Sequence, residues 1–171
     1  PRAMPWPAKD EREKLEIEGF VLHFKRLPDR RTLQVIERRE KPDYFVEDRK
    51  TGDRFGVELT SVYLSDRSVP DEHIPPIPEH LHAVGIPHDE EELSRYKSRL
   101  RDAVSAKAEK ARNGYDLRYP LILSVYVNEY RAIFLDTEAH WRNFVLENEE
   151  AFDACGPISE VVFWGLANDM V

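Results

Sequence analysis

The order of local patterns in this 171-residue chain predicts an α/β fold, a mixed central β-sheet flanked by helices. Three observations carry that expectation. An apolar stripe of helical period lies near the N-terminus, a segment of strand alternation is interrupted by turn chemistry, and the run PLILSVYV is followed by a further helical pattern and a last apolar run. In order these read as helix, hairpin, helix, strand, helix, strand.

Residues 1–9 read as a leader, with prolines at Pro1, Pro5 and Pro7, and 10–171 as one domain. Asp10 to Leu27 predicts a helix with Asp10 as N-cap and Ile17, Phe20, Val21, Phe24 and Leu27 on one stripe, stopped by Pro28. Thr32 to Ile36 predicts a short strand. Pro42 then holds Lys41 extended and opens a hairpin, with Lys50-Thr51-Gly52-Asp53 at its tip. Its second arm alternates Phe55, Val57 and Leu59 with Gly56, Glu58 and Thr60. Five prolines between Ser65 and His88 exclude a helix or a central strand, so 65–88 reads as a long surface loop. From Asp89 to Asn113-Gly114, acids come first and bases later, as a helix dipole prefers. Pro120 to Val127 is apolar almost throughout, as in a strand buried on both faces. Glu138 to Phe152, with Trp141, Phe144, Val145 and Leu146, predicts another helix, and Ile158 to Leu166 a last strand.

Composition narrows the function classes. The chain is 41% hydrophobic and 34% charged, and its three Trp, seven Tyr and eight Phe are enough to fill a core. No apolar run reaches the roughly 18 residues of a membrane span, and the N-terminal segment has no apolar signal core, so a soluble cytoplasmic protein with no membrane partner is expected. The single Cys155 excludes an internal disulfide framework and a cysteine-rich zinc module. A net charge of -8 argues against coating nucleic acid by electrostatics alone, although bases cluster at Lys25, Arg26, Arg30, Arg31, Arg38, Arg39 and Lys41 and again from Arg95 to Arg112.

With the hairpin tip centred near Thr51 and Gly52, Asp43 falls opposite Thr60 and diagonal to Glu58, about 7 to 8 Å away between Cα atoms. Two carboxylates so placed suit a hard divalent ion, magnesium or manganese, which takes one or two carboxylates and fills its remaining positions with water and phosphate oxygens. Glu58, in the apolar context FGVELTSV, either faces solvent or is kept charged by a partner. In the helix that follows, Leu93, Leu100, Val104 and Ala111 form a stripe that contains Lys107. That lysine either snorkels to the rim or faces the carboxylates from the core.

The stretch Pro42-Asp43, a hairpin, then Gly56-Val57-Glu58-Leu59-Thr60 resembles the PD-(D/E)XK nuclease superfamily, in particular its bacterial nuclease-like branch with a lysine-bearing helix after the motif. The resemblance implies a restriction-endonuclease-like αβββαβ core and metal-dependent cleavage of nucleic acid, DNA more than RNA, with a homodimer suited to cutting both strands. It implies Asp43 and Glu58 as metal ligands. The family pattern places a lysine where this chain has Thr60, a hydroxyl without charge, so Lys107 is expected to have taken over by migration from the strand to the helix, with Thr60 beside it. Such sites often take another acid from the first helix. Glu13 is the candidate, with Glu40 a comparable one. A catalytically inactive domain of the same fold, binding protein or nucleic acid, is the alternative, and an accidental motif on an α/β interaction protein is a third reading.

Rival chemistries fare worse. His73, His80, His82 and His88 fall in the proline-rich loop without a helical HExxH or a nearby cysteine. There is no GxSxG nucleophile motif and no glycine-rich phosphate loop, and Cys155 reads as a buried or semi-buried thiol.

Overall fold

The computed structural model describes residues 8–27, 31–62, 90–127 and 138–165. Residues 1–7 of the expected leader, the segment 65–88 with its four histidines, Arg30, Leu166 and the side chain of Leu93 lie outside them. The elements are α1 (Lys9–Phe24), β1 (Leu33–Arg38), β2 (Tyr44–Asp48), β3 (Arg54–Val62), α2 (Glu90–Arg112), β4 (Leu121–Val127), α3 (Glu138–Glu147), α4 (Glu149–Asp153) and β5 (Ile158–Gly165). They form the expected mixed sheet flanked by helices. Its order is β1-β2-β3-β4-β5, antiparallel from β1 to β3 and parallel from β3 to β5.

Two apolar layers cover the sheet. Ile17, Phe20 and Phe24 of α1 pack with Val46, Val57, Ile122 and Trp164 on one face, and Leu100, Val104 and Ala108 of α2 pack with Leu121, Leu123, Val125 and Phe144 on the other. Every residue of β4 is buried, which is why that strand reads as a continuous apolar run. Ser124, within that run, accepts a hydrogen bond from the Trp164 indole at 2.8 Å.

Several expectations need correction. Ala8, not Asp10, precedes the first helical residue, and the Asp10 carboxylate accepts from Arg38 at 2.7 Å instead of capping the helix. α1 ends at Phe24 rather than Leu27, and β1 runs on to Arg38 with a bulge after Val35. The helix expected over 138–152 is split at Asn148, whose side-chain amide turns back to the Phe144 carbonyl at 2.8 Å. Within it Phe144 is buried while Val145 and Leu146 are exposed.

The register of the β2–β3 hairpin matters most. Tyr44 pairs with Val57 and Glu47 with Arg54, so the next step along places Asp43 against Glu58 rather than Thr60. The turn is centred one residue earlier than expected, which shifts each cross-strand partner by two, and Asp48 gathers it in. Its side chain accepts from the Lys50 amide at 2.8 Å, and its carbonyl accepts from Gly52, also at 2.8 Å, with Gly52 at φ 78° in the left-handed region.

Ser124→Ala is expected to leave the buried Trp164 N–H without its acceptor and to cost about 1–3 kcal/mol. Thermal denaturation should show the midpoint falling by about 3–10 °C; an unchanged midpoint would show that the bond contributes nothing.

Candidate active site

The strands around β3 are of unequal length, and that inequality makes the site. β2 stops pairing with β3 at Tyr44↔Val57, whereas β4 follows β3 to Val62↔Val127. From Glu58 onward, β3 has a strand neighbour on one side only among the described residues. A cavity of about 1070 Å³ opens along the other side, with α1 contributing Glu13 and Glu16 and α2 contributing Lys107 and Lys110 to its walls.

The backbone of Leu59 on this edge is satisfied by side chains. Its N–H donates to Asp43 Oδ2 at 2.8 Å, and its carbonyl accepts from Lys107 Nζ at 3.2 Å. Lys107 Nζ also donates to Glu58 Oε1 at 2.5 Å, and the Tyr115 hydroxyl donates to that same oxygen at 2.5 Å. Glu58 is 4% exposed, and its other oxygen, Oε2, is buried with no hydrogen-bond partner among the described residues. Of the two readings of Glu58, burial with a partner is therefore the one observed. The Lys107 stem follows the α2 stripe while its ammonium reaches the cavity, leaving the side chain 22% exposed.

Asp43 is placed by three constraints. The Pro42 ring sits on Gly56, where an added Cβ would stand 2.8 Å from Pro42 Cγ. The Arg39 amide donates to the Asp43 carbonyl at 2.6 Å, and the Asp116 amide donates to the Lys41 carbonyl at 3.0 Å. Burial, reinforced by the Glu58 charge, raises the Asp43 carboxyl to about 7. Glu16, one turn before Phe20 on α1, accepts from Ser61 Oγ at 3.3 Å and is likewise pushed up to about 7, chiefly by burial. The Tyr115 phenol is held well above its ordinary range by burial and by its bond to Glu58.

Of the residues expected from sequence, Asp43, Glu58, Lys107 and Thr60 all line this one cavity, as do Glu13 and Glu40. Thr60 is half-buried on the strand beyond Glu58. Glu13 is drawn to Arg38 at 3.0 Å and Lys9 at 3.3 Å, whereas Glu16 faces Ser61 on β3, so Glu16 is the first-helix acid nearer the pair. A weak signal was available in the sequence: Glu16 lies four residues before Phe20, at the edge of the apolar stripe. Tyr115 had no such signal, because it follows the Asn113-Gly114 turn and only the fold returns it to Glu58. Among the basic cluster, Arg31 is bound to Glu160 and Arg39 to Glu37 and Asp116. Cys155 is a buried free thiol, as expected.

Among the described residues no three or more His, Cys, Asp or Glu side chains are grouped to hold a metal ion, and no helix is long and apolar enough to cross a membrane. The donors at hand are two carboxylates and the Leu59 carbonyl. That set fits a magnesium-type ion, which binds through one or two carboxylates and keeps the rest of its shell for water and phosphate. The unsatisfied Glu58 Oε2 is the acceptor such an ion would complete.

Gly56→Ala is expected to push Pro42 off the strand, at a cost of about 1–3 kcal/mol, and to draw Asp43 away from Leu59. The Leu59 amide resonance in a ¹⁵N correlation spectrum should then move toward its position in Asp43→Ala; an unmoved resonance would refute the Pro42 contact as the positioning device. For Glu16 the sign follows from linkage. A carboxyl held at about 7 in the folded state, against the 4.5 of an ordinary glutamate, binds protons more tightly when folded, so stability falls as pH rises from about 4.5 to 7 and is level above. Glu16→Gln should therefore stabilise the protein at pH 8 and do much less at pH 5. Urea denaturation at both pH values checks this, and equal effects would exclude a buried, raised carboxyl.

No protein-family model, no curated protein and no solved structure matches this chain.

Proposed function

We propose that this chain is a metal-dependent nuclease of PD-(D/E)XK type that hydrolyses phosphodiester bonds of DNA, or secondarily RNA, in the cytoplasm. The observation that carries the reading is the meeting of Asp43, Glu58 and Lys107 in one open cavity, although they come from three separate elements. Magnesium or manganese, when bound, would supply Lewis-acid polarisation of the phosphate and a more acidic water.

The remaining work falls to the chain. Asp43 and Glu58 hold the cation side of the site, and Tyr115 keeps Glu58 in one orientation. Lys107 supplies the positive charge that Thr60 cannot, donating to a phosphate oxygen as charge builds on it. The Thr60 hydroxyl orients the attacking water, and Glu16, poised near neutral pH, takes up its proton as the new bond to phosphorus forms, while the phosphorus–oxygen bond to the leaving sugar oxygen breaks and that oxygen takes a proton from solvent water. Lys41 and Lys110 on the cavity wall offset the charge of flanking phosphates. A homodimer would present two such sites to the two strands of a duplex.

One observation favours the inactive, binding-module reading: the Lys107 ammonium is already engaged by Glu58 and the Leu59 carbonyl. Manganese titration against the Asp43→Ala, Glu58→Ala double variant, followed by cleavage assays on plasmid, single-stranded DNA and RNA, separates the two. The nuclease reading expects saturable binding that the double variant loses, and cleavage that Lys107→Ala slows by about 10²–10³-fold while the protein remains folded. Equal weak binding by wild type and double variant, or full activity of Lys107→Ala, would overturn it.

A further inference from the structure

Lys107 is bound as a metal ion would be. Its Nζ lies 2.5 Å from Glu58 Oε1 and 3.2 Å from the Leu59 carbonyl oxygen, a carboxylate and a carbonyl from consecutive buried residues of one strand. Asp43, the other acid of the pair, is fastened to the N–H of that same Leu59 at 2.8 Å. Hard divalent ions take ligands of this class. We infer that the Lys107 ammonium is the resident cation of the site, and that it competes with a divalent cation for Glu58 and the Leu59 carbonyl.

Three features make the exchange possible. The ammonium satisfies only one oxygen of Glu58, while Oε2 stays buried without a partner among the described residues, so a cation that engages both oxygens gains a contact Lys107 does not make. The Tyr115 hydroxyl, 2.5 Å from Oε1, stays with the carboxylate when Lys107 leaves, so Glu58 keeps its orientation. Lys107 itself rises from the C-terminal part of α2 on a flexible four-carbon stem and is partly exposed to the cavity, so its ammonium can withdraw toward water without moving the helix. The displaced ammonium is then available to a substrate phosphate. Metal and phosphate would thereby assist each other, because each gives a charged partner to what the other releases.

This inference rests on the reading of Asp43 and Glu58 as a divalent-cation site, and the test separates the two. Mn²⁺ binding is followed by electron paramagnetic resonance for wild type, Lys107→Gln, Lys107→Met and Asp43→Asn, with thermal melts to establish that each variant is folded. The Gln variant keeps a donor near both oxygens but removes the competing charge. Competition expects Lys107→Gln to bind Mn²⁺ more tightly than wild type, by about tenfold, while Asp43→Asn binds more weakly. A second arm needs no variant. Acetylation of Lys107 in wild type, read by mass spectrometry against Lys14, should speed up when Mg²⁺ is added. Mn²⁺ affinity in Lys107→Gln equal to or below wild type, with Asp43-dependent binding intact, overturns the competition and leaves the metal site standing. Absence of saturable binding in wild type and all variants overturns both. Should the Lys107 variants fail to fold, an acetylation rate indifferent to Mg²⁺ overturns the competition by itself.

Discussion

The constraint on which the rest of the structure depends is that β3 outlasts its neighbour. β2 ends its pairing at Val57, and β3 continues to Val62 with β4 as its one strand neighbour among the described residues. A backbone edge away from water must still satisfy its N–H and C=O groups. At Leu59 it does so with a carboxylate and an ammonium from elsewhere in the chain. The gap that would have held more of β2 is thereby a polar cavity with acids, lysines and a phenol around it.

Those groups hold one another in place. Glu58 is nearly fully buried, where an isolated charge would be costly, and it is retained because Lys107 and Tyr115 both donate to it. Asp43 and Glu16 bear the opposite consequence of the same burial: their carboxyls are pushed up to about 7. The arrangement does not minimise electrostatic cost, since an apolar cluster of the same volume would avoid desolvating four charged side chains. Perturbed acids gathered in a cleft beside a lysine are what a site for catalysis or ion binding requires.

The two apolar layers supply the rigidity. α1 and α2 are each fastened to their own face of the sheet by large buried side chains, Phe20 and Phe24 on one side and Tyr96, Leu100 and Val104 on the other. The Tyr96 hydroxyl ties α2 to the end of β3 by donating to the Val62 carbonyl at 2.9 Å. Glu16 and Lys107 project from these anchored helices toward the gap, so the spacing across the site is set by core packing rather than by loops.

By itself the sequence determined the sheet-and-helix architecture, the buried character of β4, the stripe that carries Lys107, and the choice of Asp43 and Glu58 as the acids to watch. The first three are written in short-range periodicity, where the spacing of apolar residues dictates which face is buried, whereas the two acids were marked by the hairpin's turn residues and by the resemblance of the motif around them. The tertiary structure alone decided that Asp43 stands against Glu58 instead of Thr60, because Asp48 centres the hairpin one residue sooner than turn composition implies and so shifts the pairing by two. It also decided that Glu16 rather than Glu13 approaches the pair, since Arg38 on a neighbouring strand draws Glu13 aside, and that Tyr115 returns to Glu58. These are contacts between residues far apart in the chain, and local patterning has no term for where a folded backbone brings such residues together.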